Sequence, residues 1–94
     1  SDTFSNVSLS GVTLIDPDRT FIDSDVMIGK DTIIWPGTYL QGNTVIGEDC
    51  VIGPNAIVRD AELGAGCRVE QAVVENSTLA PGSAVAPFTV VRNK

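Results

Sequence analysis

Cys50 and Cys67 are the only thiols in a 94-residue chain that has no histidine at all. Those two facts bound the available chemistry. Acyl transfer to an amine or hydroxyl usually needs a histidine as general base, and zinc sites draw on histidine, cysteine and carboxylate together. Two thiols with no third ligand beside them make no metal site. A disulfide is sterically conceivable if the two residues stack in neighbouring layers, but a reducing compartment disfavours it. The remaining reading is a pair of buried free thiols that behave as small hydrophobes. Carboxylates such as Asp16, Asp23, Asp25, Asp31, Asp49 and Asp60 are plentiful, yet most fall at turn positions, where solvation accounts for them. Leu63-Gly64-Ala65-Gly66 is a corner of a repeat, not the strand-to-helix turn that a phosphate-cradling loop needs.

Charge excludes further classes. The net charge is −6 with six basic residues, and Arg19, Arg59, Arg68 and Arg92 are dispersed, so no basic stripe exists to meet nucleic-acid phosphates. No run of about 18 apolar residues and no basic-then-apolar leader is present, which predicts no membrane span, no signal peptide and a cytoplasmic protein.

The elements that must position these residues announce themselves by a period of six. Ile22, Ile28, Ile34, Leu40, Ile46, Ile52 and Val58 run without a break. A slip of one residue then gives Leu63 and Val69, and a slip of two gives Val73, Leu79, Val85 and Val91. Neither a helix nor a plain strand has that period. Three six-residue units make one coil with three flat walls, so the pattern predicts a β-solenoid of about four coils of three short strands. Two residues before each aliphatic stands a second column, from Val26, Thr32, Thr38 and Thr44 through Cys50, Ala56, Ala61 and Cys67 to Ser77, Ser83 and Thr89. Every member is small or β-branched except Gln71, at the second slip. Residues two apart on a strand share a face, so both columns point inward. Glycine and proline cluster one to three residues after each aliphatic, which places them at the corners.

The residue just before each inward aliphatic points outward. On the wall carrying Ile22, Leu40, Val58, Val73 and Val91, those residues are Phe21, Tyr39, Ile57, Ala72 and Val90. Such an unbroken apolar column predicts a subunit interface, most simply that of a cyclic trimer of parallel prisms. The competing reading is that β-forming residues are favoured on any strand. Residues 1–10 read as an N-terminal cap or linker, with Phe4, Val7 and Leu9 as its apolar part, and residues 11–94 as one solenoid domain.

The aliphatic-Gly-x4 pattern resembles the hexapeptide-repeat, left-handed β-helix proteins, many of them acyltransferases. More narrowly, the stretch opening Gly11-Val12-Thr13-Leu14-Ile15-Asp16-Pro17 and running to about Phe88 looks like part of one bacterial family. It is similar to the repeat region of bifunctional UDP-N-acetylglucosamine pyrophosphorylase/glucosamine-1-phosphate N-acetyltransferases. The resemblance implies left-handed coiling, against the usual right-handed crossover rule, and an all-β, single-stranded parallel β-helix. It also implies a homotrimer, with acetyl-coenzyme A and magnesium serving sites elsewhere in the longer enzyme. In that family a nucleotide-binding domain performs uridylyl transfer. Later coils of neighbouring subunits, with a catalytic histidine, perform acetyl transfer. Ala86-Pro87-Phe88-Thr89-Val90-Val91-Arg92 is similar to the family's Gly-Pro-Phe stretch leading to a substrate-binding arginine, which assigns that role to Arg92, although Asn93 stands where the family usually has proline. On this reading the 94 residues hold no complete active site, no cofactor and no metal, and meet a UDP-sugar or sugar phosphate only together with other regions. A free-standing or engineered solenoid scaffold is the alternative.

Overall fold

The computed structural model describes residues 11–93, so the expected cap at residues 1–10 lies outside the described residues. Fourteen short strands, β1 to β14 in chain order, form three parallel sheets. Face one stacks β1 (Thr13–Leu14), β4 (Ile33–Ile34), β7 (Val51–Ile52), β10 (Arg68–Val69) and β13 (Ala84–Val85). Face two stacks β2 (Thr20–Ile22), β5 (Thr38–Gln41), β8 (Ile57–Arg59), β11 (Val73–Glu75) and β14 (Val90–Arg92). Face three stacks β3 (Met27–Ile28), β6 (Val45–Ile46), β9 (Glu62–Leu63) and β12 (Thr78–Leu79). The chain visits the faces in turn, so each strand pairs with the one a full coil away. The result is a triangular prism.

The number of coils is nearer five than the four expected. The additional layer begins with β1, whose half-buried Leu14 packs against the core. Leu14 and Ile22 are eight apart instead of six because their corner holds a 3-10 turn, Pro17–Arg19, capped by the Asp16 carboxylate on the Asp18 N–H. That insertion hides the first repeat from a count by sixes.

Both inward columns are as expected through the middle of the prism. Ile34, Leu40, Ile52, Val58 and Val69 have no solvent exposure, and neither do Thr32, Thr38, Thr44, Cys50 and Cys67. The second slip is different. Val74, not Val73, is the inward aliphatic, and Ala72, not Gln71, is its small partner. The apparent slip of two is two separate slips of one, at the corners before and after β11. Gln71 is the left-handed corner residue, with φ of 46°, in the same column as Gly37 and Asn55. Ala72 is therefore buried and cannot belong to an outward column. Val73 takes its place, paired in register with Ile57 above and Val90 below.

Two devices hold the corners. The polar members of the inner column turn their hydrogens to corner carbonyls: Thr38 Oγ1 donates to the Trp35 carbonyl at 2.7 Å and Thr44 Oγ1 to that of Gln41 at 2.7 Å. No buried side-chain nitrogen or oxygen among the described residues lacks a partner. The glycine that follows the inward aliphatic on face three is required by close approach. A Cβ at Gly47 would sit 2.7 Å from the Ala65 nitrogen of the coil below.

Candidate functional site

The outward strip on face two is built by register alone. Phe21, Tyr39, Ile57, Val73 and Val90 are successive partners in the parallel ladders, so strand pairing places them in one vertical line. The Phe21 and Tyr39 rings stack with centroids 4.6 Å apart and planes 16° from parallel. Phe21, Tyr39 and Val90 are exposed, while Ile57 and Val73 are half-buried. Four of the five residues expected in this strip are thus in it, and Ala72 is replaced by Val73. The signal that marks the correct residue was present in the sequence: choosing Val74 as the inward aliphatic leaves no exception in the small column.

Arg92 lies at the edge between faces two and three, on the outer surface. Its Nε donates to Glu75 Oε1 at 2.8 Å, and Arg59 Nη1 donates to Glu75 Oε2 at 2.8 Å. Arg59 Nε also donates to Gln41 Oε1 at 3.1 Å. The arrangement is a vertical ladder of one carboxylate between two guanidiniums, each about half exposed or more. Exposed pairs of this kind contribute little to stability. Chemically, the ladder occupies the Nε–H of the Arg92 guanidinium.

Cys50 and Cys67 are both free and fully buried, in successive layers behind face one. Each thiol takes the place of a threonine hydroxyl. Thr32 Oγ1 donates to the Gly47 carbonyl at 2.8 Å, Cys50 Sγ reaches the Gly64 carbonyl at 3.3 Å, and Cys67 Sγ that of Ala80 at 3.3 Å. Burial pushes the Cys50 thiol above its ordinary value of 9.0, opposed by the backbone N–H of Cys67. A buried thiol held neutral has little of the thiolate that acts as nucleophile. Among the described residues no group of three or more histidine, cysteine, aspartate or glutamate side chains converges on a point.

A concavity missed by the sequence reading lies on face one. It has a volume of about 470 Å³, is open to solvent, and is lined by Ile33, Trp35, Val51, Gly53, Pro54, Arg68 and Glu70. Its position beside the left-handed corner depends on Trp35 standing above a glycine. The Gly53 Cβ position is 3.1 Å from the Trp35 side chain. No helix among the described residues is long and apolar enough to cross a membrane.

A three-faced parallel prism with an aliphatic every six residues and glycine at its corners defines the class: the chain is a hexapeptide-repeat protein of the left-handed β-helix type. The family model for the bacterial transferase hexapeptide (six repeats) matches residues 25–60. The chain is similar to the bifunctional protein GlmU. It is 52% identical over 83 residues to that of Caldanaerobacter subterraneus, covering 88% of this chain and 18% of the relative. It is 45% identical over 86 residues to that of Clostridioides difficile, covering 92% and 19%. The chain therefore spans under a fifth of the length of these relatives. A perosamine N-acetyltransferase from Caulobacter crescentus, solved with CoA and GDP-perosamine, shares the fold at 16% identity with a TM-score of 0.50, over 89% of this chain and 46% of that one.

Proposed function

We propose that this chain is a trimer-forming β-helix scaffold from a bacterial bifunctional enzyme of UDP-N-acetylglucosamine synthesis. Its task is to fix the distance and orientation of two transferase sites. The observation that carries the reading is the strip Phe21–Tyr39–Ile57–Val73–Val90, apolar through all five layers of face two. A contiguous apolar column of that length is a surface that association removes from water. A rigid prism whose layers repeat at a fixed spacing suits a spacer, because contacts run only between neighbouring coils. Acetyl transfer, uridylyl transfer, acetyl-coenzyme A and sugar-phosphate binding are assigned to parts of the relatives outside the aligned fifth. The 94 residues are inert alone, a reading supported by the lack of histidine and by the engagement of Arg92 with Glu75.

Two measurements test it. Sedimentation equilibrium is expected to return a trimer for the wild-type chain and a monomer for Tyr39→Glu, with unchanged circular dichroism. Purified chain given acetyl-coenzyme A and glucosamine-1-phosphate is expected to consume neither. A wild-type monomer removes the trimer, and turnover removes the scaffold.

A further inference from the structure

We propose that the prism edge between faces one and two is the other half of the self-association surface. Each copy lays this edge against face two of the next copy in a closed three-fold ring. The inference deepens the trimer reading above and rests on it.

Eight large hydrophobic side chains of the described residues are exposed. Six of them lie on face two or at this single edge; the other two, Met27 and Val45, are on face three. Ile15 and Trp35 follow the ends of β1 and β4, and Phe88 stands between β13 and β14. Charge separates the edges in the same way. From Trp35 downward this edge has one charged residue, Glu70. The corresponding turns of the other two edges have four each: Arg59, Asp60, Glu75 and Arg92 on one, and Lys30, Asp31, Glu48 and Asp49 on the other. The first coil of this edge carries Asp16, Asp18 and Arg19, so it is the stretch from Trp35 to Phe88, with Glu70 as its one charge, that a second copy can approach closely in a chain of net charge −6.

Phe88 is the most informative residue. It is 86% exposed, and its φ is 64°. An aromatic in the left-handed region is a backbone outlier, and a bare ring in water gains nothing from burial. Gly37 and Asn55, types that accept this conformation, occupy the same corner in other coils. Local rules broken twice at one residue mark a position whose advantage lies outside the isolated fold.

Symmetry selects the partner. A closed ring is heterologous, so its two patches differ and must lie at the same height; patches at different heights would generate a filament. Ile15 and Phe21 share the first coil, Trp35 and Tyr39 the second, Phe88 and Val90 the fifth. A rotation without translation therefore brings edge onto strip layer by layer. Two flat faces cannot meet flush in such a ring, since the angle between faces of a triangular prism is too acute to fill a third of a circle. Edge against face closes it.

The test uses the 94-residue chain and three variants in sedimentation equilibrium. Trp35→Glu is expected to be monomeric with unchanged circular dichroism. Phe88→Asn is expected to weaken association of the otherwise unchanged chain by about tenfold or more, and in the monomeric Tyr39→Glu background, where association no longer contributes, to raise the melting temperature. An equimolar mixture of Trp35→Glu and Tyr39→Glu chains is expected to form a one-to-one heterodimer, because each supplies the half that the other lacks. Trp35→Glu and Phe88→Asn chains that assemble like a trimeric wild type would overturn the edge-to-face arrangement and leave the trimer standing. A monomeric wild type would overturn both.

Discussion

The inner column shows how a single atom is accommodated in each layer. Thr32, Cys50 and Cys67 stack in successive coils and each directs its hydrogen to a corner carbonyl below, so the position selects a small side chain with one donor. Sulfur and oxygen both qualify, and the column needs no thiol chemistry. The consequence is a pH dependence with a definite sign. Burial raises the Cys50 value in the folded state above the ordinary 9.0. The stability that the neutral thiol contributes is thus complete below that pH and is lost as pH rises beyond it toward the folded value. Urea unfolding at about pH 8 and about pH 10 is expected to show a loss that Cys50→Ser, which keeps the donor, reduces. Equal pH dependence in the two proteins would mean that Cys50 does not titrate on unfolding. Thiol titration is expected to find two reactive groups only after denaturation, and a count of none in the unfolded chain would establish a disulfide.

Corners decide the register of every strand, and they were the least legible elements in the sequence. The period of six is visible because an inward aliphatic has no alternative position, and the same holds for the threonines and cysteines two residues before it. Where a corner loses a residue, periodicity no longer says which one. Val73 and Val74 both satisfy the aliphatic column, and only the contrast between Ala72 and Gln71 in the small column separates them. A shortened corner still needs a left-handed residue, and Gln71 supplies it; this cost is invisible to hydrophobic pattern. The strip on face two followed from the period, while the Trp35 concavity did not, because it depends on what stands above Gly53 one coil away. Corner glycines themselves separate into two physical kinds, and substitution should tell them apart. Gly66 has φ of 74° but its nearest neighbour to a Cβ is 3.9 Å away, so Gly66→Ala is expected to cost about 1 kcal/mol, from backbone conformation alone. Gly47 has no such φ, yet its Cβ would press on backbone 2.7 Å away, so Gly47→Ala is expected to cost about 2–3 kcal/mol through displacement of the coil below. Urea midpoints that rank the two in the opposite order would show that close approach is not what holds glycine in this repeat.

At the scale of the whole molecule, a solenoid has no centre: each coil is held by the coils above and below it. Burial along the axis follows that rule. Val58 and Val74 have no solvent exposure, whereas Leu79, Val85 and Val91, each on the last strand of its face, are only partly buried and pack against the core. Backbone bonds to the last coil stay short, as with Phe88 N–H to the Gln71 carbonyl at 2.7 Å, and only the bond at the last described residue is long. Gly53 N–H donates to the Val69 carbonyl at 2.7 Å, while Asn93 N–H reaches the Glu75 carbonyl at 3.4 Å. Stability in a stack of this kind is close to a sum of coil terms and neighbour terms, so the last layer has the smallest share. The same truncation should therefore have different effects at different heights. Val58→Ala opens a cavity in an enclosed layer and is expected to cost about 2 kcal/mol or more. Val85→Ala removes a side chain already part-wetted and is expected to cost less than about 1 kcal/mol. Hydrogen exchange should fall in the same order, with the Gly53 amide among the slowest and that of Asn93 among the fastest. Lateral association would raise the amides of face two together without changing their order along the axis, since it adds contacts beside each coil and none beneath the last. Protection that is uniform from Gly53 to Asn93 in the assembled protein would mean that the prism unfolds as one cooperative block, and the additive account of its stability would fail.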